Sequence, residues 1–339
     1  MPQNILKKTA LVMLLVLVLT ACSNPVAFLK AWLNEDKEEA VIDVIDTSGQ
    51  QVNASGLRDT ILYYKDNNGL LIPVMRKIQW PEGRGIAKEA LSFMIDNQQN
   101  REDMAKIGLY PVIPNGTQIL GMTIRDGLCK VDFSSEFLNT GSKEAEENLI
   151  KSVVYTLTEF PTVSEVEFQI EGKNIDNLRH GTYIGSRLKR ENINYLGRKP
   201  AADTVLVYYE NIDSNNPMFV PVTKPIEVID DKSDANILDV LDSLMVEPPS
   251  ESGLQSRIPV NTKVIGVEIN DSIAEVYLSE EILEIKKDES VFERAVQSIA
   301  LTLKEHYKNL TGVKIYVNGK IIASKNGEEI YPISYVNPY

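Results

Sequence analysis

The chain contains one stretch twice. Residues 108–138 and 253–283 align at a constant offset of 145 with no gap and agree at 12 of 31 positions, where average residue usage predicts about two chance agreements. Ile113/Ile258, Pro114/Pro259, Thr117/Thr262, Gly121/Gly266, Asp126/Asp271 and Ser134/Ser279 are among the pairs. Any fold for this chain must therefore use the same unit twice. After a turn at Arg125-Asp126-Gly127, Cys129, Val131 and Phe133 alternate with Lys130 and Asp132; after Asn270-Asp271-Ser272, Ala274, Val276 and Leu278 alternate with Glu275 and Tyr277. Asp-Gly and Asn-Asp tolerate the positive φ of a tight hairpin turn, and a period of two buries one face. Each copy is predicted to centre on an antiparallel hairpin lying over a core.

The flanks repeat as well. Residues 61–64 and 71–75 read as strand, turn and strand, and 205–209 with 219–222 are the same pair later on. A helix follows in each, with Ala87, Ala90, Leu91 and Met94 in one and Ile237, Leu238, Leu241 and Leu244 in the other. Beyond the hairpin, Leu149, Ile150, Val153, Val154 and Leu157 set a helical rhythm that Val291, Phe292, Ala295, Val296, Ile299, Ala300 and Leu303 keep. A last strand, 166–173, matches 313–320. Each unit reads β-β-α-β-β-α-β, which predicts an α+β fold of mostly antiparallel sheets with helices packed on them. The expected domains are 59–173 and 203–325, joined once by a connector, 174–202. The tail, 326–339, is expected to pack back along its own domain.

Ahead of the first unit, Lys7 and Lys8 precede ten consecutive apolar residues, 10–19, and then Leu19-Thr20-Ala21-Cys22. Ten is the length of a signal-peptide core and well short of the roughly 18 to 20 residues a spanning helix needs. The four-residue end resembles a bacterial lipobox, with residues 1–21 as signal and Cys22 as the lipidated first residue of the mature chain. Two acyl chains anchor stably where one does not. Residues 22–58 then read as anchor and stalk, with an edge strand at 41–45 and a loop at 48–56. Lipidation of Cys22 leaves Cys129 without an intramolecular partner, and its place in register with Val131 and Phe133 makes it a buried apolar residue.

The formal net charge is -13 and becomes -15 once Lys7 and Lys8 leave with the signal. Such a body disfavours nucleic acid, whose binding rests on Lys and Arg neutralising phosphate. Against this background the connector inverts the local charge with Arg179, Arg187, Lys189, Arg190, Arg198 and Lys199. They form a candidate docking strip for an acidic partner, for anionic wall polymer, or for the acidic domain face beside it.

The order Gly-Leu-x-x-x-Ile-Pro, Thr-x-hydrophobic-hydrophobic-Gly, a turn at Asp, Val-x-hydrophobic-Ser-x-Glu, helix and Gly-Lys strand resembles the GerMN domain. Two such domains behind a lipobox resemble the GerM-type lipoproteins of spore-forming Gram-positive bacteria. The second copy departs at Val260-Asn261, where the first has Asn115-Gly116, and at Ser272 in place of Gly127. The resemblance implies a fold similar in outline to the ring-building domains of secretion systems. It implies a role in sporulation and germination, on the outer face of the cell membrane between mother cell and forespore, close to peptidoglycan, with the sporulation channel proteins as partners. It brings no catalytic residues and no cofactor.

The residues themselves offer little chemistry. His180 and His306 are the two imidazoles, and neither lies near a Ser-rich elbow or a Cys in the sequence. No metal-ligand spacing such as His-x-x-x-His or Cys-x-x-Cys occurs. Two carboxylates suffice for a glycosidase, but Glu136 and Glu281, each two residues after a serine, read more simply as the start of a helical turn capped by that hydroxyl. The expectation is a noncatalytic, membrane-anchored scaffold that binds protein partners. The alternative is an extracytoplasmic solute-binding or cell-wall-binding lipoprotein.

Overall fold

Both duplicated stretches form the hairpin. The computed structural model describes residues 44–45, 51–52, 56–79, 85–197, 203–211, 217–226 and 237–339. Strands β1 (Val44–Ile45) and β2 (Gln51–Val52) come first, the second inside the stretch expected as loop. Strands β3 (Leu57–Lys65) and β4 (Leu71–Gln79) pair antiparallel along their whole length. Between them the Asp66 carboxylate accepts from the amides of Asn68 and Leu70, both at 2.9 Å, an Asx-type turn. Helix α1 (Ile86–Ser92) follows, and then α2 (Gln98–Ala105). The second of these is absent from the expected order because Gln98-Gln-Asn-Arg-Glu-Asp-Met-Ala carries no apolar stripe. Its start is fixed by Asn97, whose side chain accepts from the amide of Asn100.

Strands β5 (Ile119–Arg125) and β6 (Gly127–Phe133) make the first hairpin, helix α3 (Lys143–Leu157) crosses over, and β7 (Val163–Ile170) pairs parallel to β6. A parallel neighbour requires such a crossover. The second unit repeats this with β8 (Thr204–Asn211), β9 (Phe219–Pro225), α4 (Ile237–Met245), β10 (Leu254–Gln255), β11 (Val264–Asn270), β12 (Ile273–Leu278), α5 (Glu289–His306) and β13 (Gly312–Val317). The short strands β14 (Lys320–Ile321) and β15 (Tyr331–Pro332) then add to the outer side of β13. The fold is α+β with sheets that are antiparallel except at β6–β7 and β12–β13.

The residues that differ between copies keep the backbone the same. Asp126 and Gly127 have φ of 50° and 81°, and a Cβ on Gly127 would lie 2.7 Å from the Ser164 hydroxyl. In the second hairpin Asp271 has φ 56° and Ser272 is not left-handed, so a side chain is tolerated there. Gly116 at φ 83° is replaced by Asn261 at φ 76°, Asn being among the residues that enter this region most readily. Gly121 and Gly266 sit at matching breaks in register, where one strand carries an extra residue.

Cys129, Val131 and Phe133, and likewise Ala274, Val276 and Leu278, are buried in the core. Burial pushes the Cys129 thiol up to about 12, which leaves it protonated at neutral pH. On α4, Val240 is buried and Leu238 exposed. Residues 237, 240, 241 and 244 share one face of a 3.6-residue helix, and position 238 lies about 60° beyond its edge.

A buried polar clasp also repeats. The hydroxyl of Ser152 donates to the carbonyl of Tyr63, and Thr156 accepts from the Tyr63 amide at 3.1 Å. Ser298 and Thr302 treat Tyr208 in the same way. Each long helix thereby satisfies the outer edge of the first strand of its unit, groups that would be costly to bury unpaired.

Candidate functional site at the interdomain seam

The second half of the connector does more than link, and the tail does more than pack along its own domain. Residues 188–196 and 331–339 occupy equivalent places at an offset of 143. Leu188 pairs with Val166 of β7 as Tyr331 pairs with Val313 of β13. Each segment then crosses to the other domain, so we call them straps. Thr223 of β9 donates its amide to Ile193, and the Leu196 amide donates back to Thr223. At the equivalent place on β4, Met75 donates to the carbonyls of Val336 and Asn337, and the Tyr339 amide donates to Met75. The expectation that the tail packs along its own domain is corrected in this respect: it also pairs with the first domain.

An asparagine is the seventh residue of each strap, at φ 47° for Asn194 and 45° for Asn337. Asn194 accepts from the Leu71 amide at 2.8 Å and donates to the carbonyls of Leu71 and Pro221, both at 2.8 Å. Asn337 accepts from the Phe219 amide at 2.7 Å and donates to Phe219 and Pro73 at 2.7 and 2.8 Å. Each carboxamide therefore bridges β4 and β9. Pro73 and Pro221 have no amide hydrogen and cannot extend a ladder from their nitrogen. The side chain residues Ile193 and Val336 plug two small matching clusters, one with Tyr63, Leu71 and Tyr155 and one with Tyr208, Phe219 and Leu301.

Arg190 closes the seam. Its guanidinium donates to Glu159 at the end of α3, lies 3.6 Å from Glu305 on α5, bonds the Thr158 hydroxyl at 2.8 Å and sits 4.8 Å from the centre of the Tyr155 ring. Glu159 and Glu305 are equivalent positions of the two copies. Burial raises the Glu305 carboxyl, and Lys308 and Arg190 more than reverse this, so it is held below the usual carboxylate range.

A family model described as Germane, sporulation and spore germination, matches residues 61–176 and again 206–323. The chain belongs to that family. The spore germination protein GerM of Bacillus subtilis (strain 168) is 28% identical over 290 residues, which is 83% of this chain and 76% of that protein. The solved tandem GerMN domains of the sporulation protein GerM from Bacillus subtilis superpose with a TM-score of 0.70 at 26% identity, over 83% of this chain and 99% of theirs.

In this Germane protein the basic residues singled out in the connector have separate fates. Arg190 is used inside the seam, between Glu159 and Glu305. Arg187 and Lys189 are 61% and 69% exposed and share Glu165 at 3.6 and 3.1 Å; pairs of this kind contribute little. Arg179 is exposed. Arg198, Lys199 and Cys22 lie outside the described residues, as do the signal and most of the stalk. Lys189 also borders a groove of about 660 Å³ between α3 and the connector, with Ile150, Val154 and Tyr183 along it.

The residues weighed for catalysis are held in other tasks. Nε2 of His180 lies 2.9 Å from the carbonyl of Thr140, and Nε2 of His306 lies 3.1 Å from that of Leu206. The Ser134 and Ser279 hydroxyls do not cap the turns that follow, as the sequence suggests. They accept from the amides of Gln118 and Lys263, each at 2.9 Å, and so tie the hairpin to its own preceding segment. Hydrogen bonds from those same serines hold the Glu136 and Glu281 carboxyls below their ordinary range, the opposite of what a general acid requires. Among the described residues no group of three His, Cys, Asp or Glu could hold a metal, and no helix is long and apolar enough to cross a membrane.

Glu146 was not singled out by sequence. It is buried at the start of α3, where it accepts from the amides of His180 and Thr182 at 2.7 and 3.2 Å and fixes the first half of the connector. The straps were missed as well, although the Asn194/Asn337 match and the Pro73/Pro221 match were both available.

Proposed function

We propose that this Germane-family chain is a noncatalytic scaffold of sporulation and germination, anchored through lipidated Cys22 on the outer face of the membrane. Its partners would be the proteins of the channel between mother cell and forespore. The observation that carries the reading is the seam: two domains joined by reciprocal straps, two bridging asparagines and a shared arginine form a spacer of fixed geometry. A solute-binding protein instead needs lobes that open around a hinge. Arg187, Lys189 and the groove beside them offer a partner exposed charge next to apolar surface. The lipobox is tested by Cys22→Ala, expected to move the protein from the membrane fraction to the soluble one. The scaffold role is tested by a fluorescent fusion through the sporulation cycle. Enrichment at the engulfing membrane, lost in Cys22→Ala cells or when the channel proteins are deleted, is the expected result. An even distribution over growing cells would count against it.

A further inference from the structure

We propose that the outer edge of β4 is a peptide-recognition site, that its ligand is the segment 334–339 of this chain, and that it accepts this segment from a second copy as well as from its own. Two segments of different sequence, 193–196 and 336–339, are bound by equivalent strands through the same main-chain hydrogen bonds and the same asparagine bridge. Recognition therefore depends on main-chain pairing with a segment in which a branched aliphatic residue precedes an Asn in the left-handed region, a kinked form of the pairing by which strand-addition sites read their ligands.

The β4 site reads one position further. The Tyr339 hydroxyl donates to the Asp103 carboxylate at 2.8 Å, and its ring lies 5.3 Å from the guanidinium of Arg76, which Asp103 itself holds at 2.6 Å. Val336 fills the apolar end of the site and is buried, whereas Ser334, Tyr335, Pro338 and Tyr339 remain exposed. A groove of about 390 Å³ runs beside the segment, bordered by Val74, Ile107 and Arg294. The ligand is thus held by a few deep groups and is otherwise superficial. Exchange between copies re-forms identical contacts, so a second copy needs no new interface.

The site is tested with a labelled peptide of sequence SYVNPY and the full chain in detergent carrying Asn337→Ala and Tyr339→Ala, which weaken the resident segment. The expected result is saturable binding, at least tenfold tighter than to the wild-type chain and lost when the peptide's own Asn is replaced by Ala. If the double variant loses its native circular dichroism, Tyr339→Ala alone serves, because it leaves the Asn337 bridge in place. Absence of saturable binding to a folded variant, or equal binding of the Asn-to-Ala peptide, would overturn the site. The source is tested by mixing a Met75→Cys chain with a Pro338→Cys chain, positions that are bridge partners, and adding a short bismaleimide. A crosslinked pair formed only in the mixture supports exchange between copies; peptide binding without that pair would confine the segment to its own chain.

Discussion

The strap on β4 and the strap on β9 use one main-chain scheme but different side-chain reinforcement. On β4 the last position is Tyr339, gripped by Asp103 and Arg76. On β9 it is Leu196, and Lys224, the counterpart of Arg76, turns instead to the carbonyl of Ser243 at 2.7 Å near the end of α4. Burial of Lys224 pushes its amine down to about 8. The strap on β9 has Arg190 behind it, a position taken by Ile333 in the strap on β4. The two halves of the seam are therefore alike in their backbone pairing, apart from the second acceptor that the Met75 amide finds, and unequal in where charge supports it. A duplicated unit has kept the part of the contact that every sequence can make and has let the rest diverge.

The largest expected effect comes from removing the shared element. Asn194→Ala and Asn337→Ala each leave buried main-chain groups unpaired at both β4 and β9, and each should cost about 2–3 kcal/mol in denaturant unfolding. Equal losses would show that the asparagines carry the symmetric part of the seam. Next, Arg190→Ala should cost about 2 kcal/mol, since it strips Glu159 and Glu305 of a cation in a largely buried place. Arg187→Ala and Lys189→Ala should each stay within about 0.5 kcal/mol. A combined reversal of all three to Glu, aimed at partner recruitment, would therefore be confounded by the seam.

The acid limb of stability sharpens the same contrast. Burial raises the Asp103 carboxyl, and the Tyr339 hydroxyl, Lys106 and Arg76 more than reverse this, so Asp103, like Glu305, is held below its usual range. A depressed carboxyl stabilises the fold above its unfolded pKa, about 3.9 for Asp and 4.3 for Glu. That contribution is lost as the pH falls through the folded value. Stability should accordingly fall below about pH 4, and less steeply in Arg190→Ala, where Glu305 has lost one source of its shift; denaturant midpoints between pH 6 and 3 measure this. Tyr339→Phe should cost less than Arg190→Ala, about 1 kcal/mol, while Leu196→Met, a volume-conserving change at its counterpart on β9, should stay close to neutral.

How much of this was legible in the sequence follows from which atoms do the work. The hairpins announce themselves because side chains facing a core are restricted in kind: Ile113, Gly121, Val131 and Ser134 recur since each has a packing, bulge or hydrogen-bonding task. The polar clasp was visible as the Ser152/Ser298 and Thr156/Thr302 matches, though without a reason for hydroxyls on a buried helix face. The straps agree at one of nine positions, Asn194/Asn337, because main-chain pairing constrains few side chains. Their charges misled for the same reason. Arg190 looks like any other cation of the connector, and only the fold brings Glu159 and Glu305, 146 residues apart, to its two sides. Helix α2 was hidden because it buries little beyond Asn100 and Met104.

Reciprocal straps should make the two duplicated domains one cooperative body. Native-state hydrogen exchange on the full chain tests it most directly, by comparing the slowest amides of β3 with those of β8 in the wild type and in the Asn194→Ala/Asn337→Ala variant. One shared opening free energy is expected in the wild type and two separated values in the variant. Two separate values already in the wild type, or a shared value that survives in the variant, would contradict it.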